Sequence, residues 1–367
     1  MQATSIRQQR GLDLIQPYVP GKAIAEVQRE YGLGEVVKLA SNENPLGPSP
    51  KAVAALQAAL TEINYYPDAQ SYELCQALAS RLGVAPEQVI VGNGADGLIR
   101  CICAAYLQDE DEVIVSRSSF PIYESSAYIM RATVIKTPLL PEYRIDLAAM
   151  ADAITPRTRL IFVCNPNNPT GTIVSDAEVA AFMERVPDHV LVVFDEAYHD
   201  FVEDGRYRDS VHYVREGRKN VMALRTFSKI YGLAGVRLGY GVAAAEVLAP
   251  LYASKEPFVV NLLAQVAGLA ALEDDQFVQR TLEMIRVGRR FLYQQFEQLG
   301  LRYVPTQTNF ILVEIGPQAT EVYRKLLAKG VIVRPCNGYD LPECLRITIG
   351  TPEQNERLIS ALREVLA

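Results

Sequence analysis

The sequence predicts an α/β fold in which a large domain, built on a mostly parallel sheet with helices on both faces, is followed by a smaller α+β domain. Between residues 89 and 194, short β-branched runs alternate with amphipathic helical runs, as in parallel strands joined by helical crossovers. Beyond about residue 251, a long helix-favouring stretch and then separate strands replace this alternation. The length of 367 residues, with 49% hydrophobic and 22% charged residues, suits a large core and more than one domain.

The predicted elements follow in chain order. We assign residues 1–44 to an N-terminal arm and part of the small domain, residues 45–255 to the large domain and residues 256–367 to the small domain. Prolines and a glycine between Gln16 and Lys22 predict an extended arm, and apolar periodicity predicts a helix over residues 50–60. The alternating region is predicted to hold strands at 89–91, 112–115, 133–136, 160–164 and 190–194, and helices at 98–107, 123–130 and 176–185. The small domain is predicted to hold a helical stretch at 262–299, strands at 310–315, 331–334 and 345–349, and a closing helix.

Composition narrows the class of partner. Lys and Arg number 36 against 43 Asp and Glu, which gives a net charge of -7, so nothing favours nucleic acid or an anionic membrane and a small-molecule partner is expected. The six cysteines have no C-x-x-C pairing and no histidines have metal-ligand spacing, which predicts reduced core cysteines and no metal site. The polar start lacks an apolar signal core and no apolar run reaches bilayer length, which predicts a cytoplasmic location.

The stretch from Asn220 to Gly241 carries the strongest chemical signal. An apolar strand ends at Thr226-Phe227-Ser228-Lys229, and Arg237 follows among glycines. A lysine just past a buried strand, beside hydroxyls and an arginine, is what a Schiff-base site with a phosphate anchor requires. Because lysines are rarely buried unless they are paired, a solvated loop lysine and a surface arginine form the alternative interpretation.

A carboxylate ends the preceding apolar strand, where Asp195-Glu196-Ala197-Tyr198 follows Phe194. A carboxylate in this position is costly unless it is paired, and a protonated pyridine nitrogen is a suitable partner; a helix N-cap is the alternative. The loop Asn165-Pro166-Asn167-Asn168-Pro169-Thr170-Gly171 follows another strand. It is either structural only or offers an asparagine donor to a ring oxygen.

The segment Gly92-Asn93-Gly94-Ala95-Asp96-Gly97 matches G-x-G-x-x-G, so an NAD enzyme is the obvious rival. The motif lies far inside the chain, the following strand ends in Ser116-Arg117 without a ribose-binding carboxylate, and Asp96 occupies the helix start. What remains is a helix N-terminus able to hold one phosphate, or else a purely structural turn.

These strand ends converge on pyridoxal phosphate (PLP). Lys229 supplies the imine nitrogen, Asp195 keeps the ring nitrogen protonated, and Ser228, Arg237 and the helix after Gly94 take the phosphate. The lysine, once displaced by an amino substrate, becomes the base that moves the proton.

Nearly the whole chain resembles the class II aminotransferase family of fold type I PLP enzymes, and within it the histidinol-phosphate aminotransferases. The motifs that carry this resemblance are, in order, Asn42-Glu43-Asn44-Pro45 with Gly47, Tyr65-Tyr66-Pro67, Gly92-Asn93-Gly94, the loop 165–171, Asp195-Glu196-Ala197-Tyr198, Ser228-Lys229 with Arg237, and Leu345-Arg346-Ile347-Thr348-Ile349-Gly350. Two departures concern loop details: Gly97 stands where relatives commonly have glutamate, and Ser118-Ser119 where Pro-Thr is usual.

The resemblance implies a role for each matching residue. Lys229, Asp195 and Tyr198 would be catalytic. The cofactor would be held by Ala95, Asp96, Phe120, Asn168, Asp195, Tyr198, Thr226, Ser228, Lys229 and Arg237, with Phe120 stacked on its ring, and by Tyr66 from the neighbouring subunit of a homodimer. The substrate would meet Tyr18, Asn44, Tyr66, Asn168 and Arg346, with Arg346 clamping its carboxylate.

The implied reaction is transamination between L-histidinol phosphate and 2-oxoglutarate, giving imidazole acetol phosphate and L-glutamate in histidine biosynthesis. Aromatic amino acid aminotransferases and threonine-phosphate decarboxylase share most of the motifs and stay open as alternatives. Outside the family, the rivals are an NAD-dependent oxidoreductase and a PLP-binding regulator. The regulator is disfavoured because no DNA-binding segment flanks the predicted domains.

Overall fold

The computed structural model describes residues 8–17 and 21–367, so part of the predicted arm around Gln16 lies outside the described residues. The helices of the first two thirds of the chain are α1 (Ile24–Tyr31), α2 (Pro50–Ala59), α3 (Tyr72–Leu82), α4 (Gly94–Tyr106), α5 (Ile122–Ile129), α6 (Leu147–Asp152), α7 (Asp176–Arg185), α8 (Val211–Arg215) and α9 (Ala245–Ser254). The strands of this part are β1 (Val37–Lys38), β2 (Val89–Asn93), β3 (Glu112–Ser116), β4 (Thr133–Thr137), β5 (Leu139–Leu140), β6 (Arg144–Ile145), β7 (Thr158–Cys164), β8 (Leu191–Asp195), β9 (Val221–Thr226) and β10 (Leu238–Ala243).

A seven-stranded sheet forms the centre of the molecule, with strand order β2-β10-β9-β8-β7-β3-β4. Neighbouring strands of this sheet pair in parallel, except that β10 runs antiparallel to both β2 and β9. The strands β8 and β9 are buried along their whole length, as expected for a sheet covered by helices on both faces. The predicted fold class, a mostly parallel sheet flanked by helices, is therefore confirmed.

The carboxyl ends of the parallel strands lie at one edge of this sheet. The strands β3, β7, β8 and β9 end at Ser116, Cys164, Asp195 and Thr226. In open α/β sheets this edge is where ligands bind. It is also where the sequence places most of its candidate site residues.

The last third of the chain forms a second, smaller sheet with helices. Its elements are α10 (Leu262–Leu272), α11 (Asp275–Gln298), β11 (Arg302–Tyr303), β12 (Phe310–Glu314), α12 (Ala319–Ala328), β13 (Val331–Ile332), β14 (Arg334–Pro335), β15 (Cys344–Thr348) and α13 (Pro352–Leu366). The strands β11, β12, β15 and β14 form an antiparallel sheet, whereas β13 pairs in parallel with β1. This β1–β13 pairing ties the N-terminal segment to the C-terminal third.

Three local predictions differ from the structure. The single strand predicted at 331–334 is two strands, because the chain leaves β1 at Ile332 and pairs with β15 from Arg334. The helical stretch 262–299 is two helices, since the Asp274 side chain accepts the Phe277 N–H and starts α11 anew. Helix α4 begins at Gly94, four residues before its predicted start. Among the described residues, no helix is long and apolar enough to cross a membrane.

Candidate active site

A cavity of about 250 Å³ lies at the carboxyl edge of the seven-stranded sheet and extends to β15 of the smaller sheet. Most of the candidate residues line it, and these are Ala95, Asp96, Phe120, Asn168, Asp195, Tyr198, Thr226, Ser228, Lys229, Arg237 and Arg346. The fold thus gathers side chains that are up to 251 positions apart in sequence, from Ala95 to Arg346, into one small space.

Two of the candidate residues that the structure describes, Asn44 and Tyr66, do not line this cavity. The amide of Asn44 donates to Ile230 O at 2.9 Å and to Thr281 Oγ1 at 3.1 Å, and its oxygen accepts the Leu46 N–H. Asn44 is therefore a buried structural bridge, and its predicted contact with substrate is not supported. Tyr66 is 82% exposed and stacks on Phe258 with ring centroids 4.6 Å apart. Tyr18 lies outside the described residues.

Lys229 follows β9 and points into the cavity, with Nζ 3.4 Å from the carbonyl oxygen of Ser41 and 5.6 Å from the centre of the Tyr198 ring. Burial, and after it the nearby guanidinium of Arg346, lowers the pKa of Lys229 from 10.5 to about 8. The interpretation of Lys229 as a solvated loop lysine does not fit this position. Near neutral pH the amine is therefore neutral far more often than the amine of an exposed lysine, and the neutral form is the one that acts as a nucleophile or a proton acceptor.

Asp195, the last residue of β8, is 3% exposed. Its Oδ2 accepts the Tyr123 hydroxyl at 2.6 Å and its Oδ1 accepts the Ala197 N–H at 3.1 Å. Burial raises the pKa of Asp195 to about 6, while these two hydrogen bonds act in the opposite direction. No α-helix begins at Asp195, so it is not the helix N-cap of the alternative interpretation.

An anion cradle lies beside these residues, between the N-terminus of α4 and the turn after β9. Gly94 has a φ of 69°, and a Cβ placed there would lie 2.7 Å from Nη2 of Arg237. The Thr226 and Ser228 hydroxyls are 3.0 Å apart, and Arg237 lies 3.4 Å from the Asp96 carboxylate. Helix N–H groups, two hydroxyls and a guanidinium together form the donor set that a phosphate prefers.

Arg346 is 3% exposed, lies on β15 and lines the same cavity. It donates to Asn168 Oδ1, to Ala40 O at 2.8 Å and to the Tyr339 hydroxyl at 3.3 Å. A second arginine, Arg334, pairs directly with Arg346 across β14 and β15 and is 9% exposed. Side chains of directly paired residues share one face of a sheet, so two positive charges stand together here.

Sequence reasoning missed Arg334, Tyr123 and Asn42. Arg334 sits within an apolar strand like Arg346, so a second charge in that context was the available signal. Tyr123 lies three residues after Phe120 on the first turn of α5, but no pattern shows that its hydroxyl reaches Asp195. Asn42 belongs to the motif around Asn44, and the structure brings the first of these asparagines to the cavity instead of the second.

The family of the chain follows from comparison with known proteins. The model of the family "Aminotransferase class I and II" matches residues 34–362, which is most of the chain. The chain therefore belongs to the class I and II aminotransferases, and it is an enzyme of the transaminase type.

Individual relatives narrow the comparison. The chain is 56% identical to histidinol-phosphate aminotransferase of Moorella thermoacetica over 96% of this chain and 91% of the relative. It is 47% identical to the enzyme of that name from Akkermansia muciniphila over 100% of both. Among solved structures, histidinol-phosphate aminotransferase from Sinorhizobium meliloti in complex with pyridoxal-5'-phosphate superposes with a TM-score of 0.89 at 26% identity, covering 100% of this chain and 98% of that one. Thermus thermophilus aspartate aminotransferase with maleate has a TM-score of 0.84 at 25% identity, covering 98% and 100%.

Proposed function

We propose that the protein is a PLP-dependent aminotransferase that exchanges the amino group between L-histidinol phosphate and 2-oxoglutarate, giving imidazole acetol phosphate and L-glutamate in histidine biosynthesis. The observation that carries this proposal is a single cavity holding a lysine amine of lowered pKa, a buried carboxylate and an anion cradle. The names of relatives at 47% and 56% identity over almost the full chain support the same activity.

The residues of the cavity fit PLP. A carboxylate that is 3% exposed needs a cationic partner, which the protonated ring nitrogen would be for Asp195. The absence of a side chain at Gly94 keeps the space beside Arg237 open for a phosphate, which Ala95, Asp96, Thr226 and Ser228 would also border. When bound, PLP supplies an electron sink that stabilises negative charge at the α-carbon of the substrate.

Side chains of the cavity transfer the proton and orient the cofactor ring. The Nζ of Lys229, neutral at a useful fraction near pH 7, accepts the proton from the substrate α-carbon and returns it. Phe120, Asn168 and Tyr198 line the cavity. With PLP bound, Phe120 would cover the ring face, and Asn168 and Tyr198 would donate hydrogen bonds to the ring hydroxyl oxygen. Burial raises the pKa of Tyr198, so its hydroxyl stays protonated and can donate.

Arg346 and Arg334 bear on the class of substrate. A carboxylate carries one negative charge, whereas a phosphate monoester carries up to two and offers three acceptor oxygens. Arg346 lines the cavity and Arg334 is paired directly with it on the next strand, so two guanidinium groups favour a donor that bears a phosphate, while Arg346 alone can clamp one of the two carboxylates of 2-oxoglutarate.

We also propose a homodimer in which Tyr66 reaches the phosphate in the partner's cavity. Tyr66 stacks on Phe258, and both side chains are exposed. Four more exposed apolar side chains lie within six positions of Tyr66 in the sequence, and these are Leu60, Ile63, Tyr65 and Tyr72. Exposed apolar side chains that cluster are typical of an interaction surface. Sedimentation at micromolar protein should give twice the chain mass, and Tyr66→Phe should weaken PLP binding without dissociating the dimer.

The structure also supports proposals on the location of the protein in the cell and on its domain boundaries. Each of the six cysteines is buried and free, which supports a cytoplasmic location, where thiols stay reduced. The pairing of β1 with β13 supports a small domain made of residues 256–367 together with part of residues 1–44, and a large domain of residues 45–255.

The function is tested with the purified protein. It should be yellow, and borohydride should attach the cofactor covalently to Lys229. Lys229→Ala should retain some PLP through the anion cradle and lose transamination. Turnover of histidinol phosphate should exceed that of phenylalanine, tyrosine and threonine phosphate; preference for an aromatic amino acid would overturn the substrate, and a colourless protein that binds NADH would overturn the reaction class.

A further inference from the structure

Three consecutive residues, Ala40, Ser41 and Asn42, each contact a different functional side chain of the cavity. The carbonyl of Ala40 accepts from Arg346 Nη2 at 2.8 Å, and the carbonyl of Ser41 accepts from Lys229 Nζ at 3.4 Å. The Asn42 amide donates to the Tyr198 hydroxyl at 2.9 Å. Of the three, only Asn42 acts through its side chain, so only its contact can be altered by substitution.

Asn42 is fixed from several sides. It is 1% exposed and has a φ of 55°, in the left-handed region that asparagine tolerates better than most residues. Its N–H donates to Thr348 Oγ1 at 3.0 Å, and its carbonyl accepts from Asn309 Nδ2 at 3.0 Å. Thr348 lies on β15, two residues after Arg346. Asn42 therefore bridges the strand of the anion-binding arginine and the cavity wall that carries Tyr198.

The hydrogen bonds of Thr348 decide which way the Asn42 amide faces. The Thr348 oxygen already accepts the Asn42 N–H, and its single proton is donated to Asn42 Oδ1 at 3.2 Å. The NH2 group of Asn42 is thereby turned toward Tyr198. A hydroxyl oxygen that accepts from an amide must direct its own proton elsewhere, and Tyr198 lines the cavity.

We propose that Asn42 is a positioning residue that directs the Tyr198 hydroxyl proton into the cavity and ties this direction to β15, the strand of Arg346. The acceptor of that proton would be the ring oxygen of PLP, so the inference rests on the proposed function. Substrate anion binding at Arg346 and the hydroxyl of Tyr198 are then linked through Thr348 and Asn42.

The test is the pH titration of the visible absorption band of the PLP-loaded protein, which reports proton binding at the cofactor. A hydrogen bond donated to the ring oxygen favours the deprotonated form, so its loss raises the midpoint. We expect Asn42→Gly, which accepts the positive φ without adding a charge, to raise the midpoint by about one pH unit. Tyr198→Phe should raise it at least as much, and Asn42→Gly should add no further shift in the Tyr198→Phe background.

Controls separate this role from general destabilisation. Asn44→Gly removes a neighbouring structural amide and should lower the unfolding temperature without moving the midpoint. If Asn42→Gly does not fold, Asn42→Asp serves instead, because it keeps the side-chain shape and the hydrogen bond from the Thr348 hydroxyl. The shift that Asn42→Asp causes in the titration midpoint should be smaller in the Tyr198→Phe background than in the wild-type background. A wild-type protein without a visible band defeats the proposed function. The inference alone is overturned if the wild-type band titrates but the Asn42 substitutions leave its midpoint unchanged. It is also overturned if they shift the midpoint equally in the wild-type and Tyr198→Phe backgrounds.

Discussion

The amine of Lys229 is expected to react at a pH where an exposed lysine is almost fully protonated. Burial and the Arg346 guanidinium lower its pKa from 10.5 to about 8, a difference of about 2.5 units. That difference corresponds to about 3 kcal/mol and raises the neutral fraction at pH 7 by a factor of some hundreds, from well below about 0.1% to roughly a tenth. The cofactor-free protein should therefore form a Schiff base with a soluble aldehyde at Lys229 before it does so at exposed lysines.

The assay is reductive labelling of cofactor-free protein with pyridoxal, which lacks the phosphate, followed by mass spectrometry of the Lys229 peptide. Labelling rates measured across the range from about pH 6 to about pH 10 should give a midpoint near 8. Arg346→Gln should raise that midpoint because it removes a positive charge that disfavours the ammonium form. Lys229→Ala defines the background. A wild-type midpoint near 10.5, or one that Arg346→Gln leaves unchanged, would refute the assignment of the lowered pKa to burial and Arg346.

Three further predictions address the cofactor and substrate sites. Tyr123→Phe removes the donor at 2.6 Å from Asp195, so the pKa of Asp195 should rise beyond about 6; equilibrium dialysis should show PLP binding weakened about tenfold at neutral pH, and an unchanged affinity would contradict this. Gly94→Ala forces a side chain into a left-handed φ of 69° and should lower the free energy of unfolding by at least about 1 kcal/mol in urea titrations, with Gly97→Ala, at an ordinary φ, as the milder control. Arg334→Gln should raise KM for histidinol phosphate about tenfold and KM for 2-oxoglutarate much less; equal changes in steady-state kinetics would argue against a phosphate-specific role.

The central chemistry could be predicted from the sequence because it follows strand ends. Asp195 ends one apolar run that is long enough for a buried strand, and Lys229 lies three residues past another. Both groups are therefore predicted at the carboxyl edge of a parallel sheet. Local sequence fixes that geometry, since strand and turn are adjacent in the chain. The same reasoning applies to Asn168 and Ser228, which lie four residues after the end of β7 and two residues after the end of β9 and line the cavity.

The residues that sequence reasoning missed depend on contacts between distant segments. Asn42 meets Thr348, 306 positions away, and Tyr123 meets Asp195, 72 positions away. Nothing in the local pattern distinguishes Asn42 from Asn44; the chain turns so that one amide faces the cavity and the other bridges Ile230 and Thr281. Such choices are made by tertiary packing, and hydrophobic periodicity carries no information on them.

The two central ionisable groups also explain why the cofactor should stabilise the chain. Asp195, with its pKa raised from 3.8 to about 6, destabilises the cofactor-free fold by about 3 kcal/mol once it is ionised, and this penalty grows as the pH rises from about 4 to about 6. Lys229, with its pKa lowered from 10.5 to about 8, destabilises the cofactor-free fold by about 3 kcal/mol more below pH 8. This second penalty disappears as the pH rises from about 8 to about 10.5. Near pH 7 both penalties act together. A ligand that supplies a cation to Asp195 and binds the neutral amine of Lys229 removes both penalties at once. The free energy that these penalties cost the cofactor-free protein therefore adds to the binding free energy of PLP.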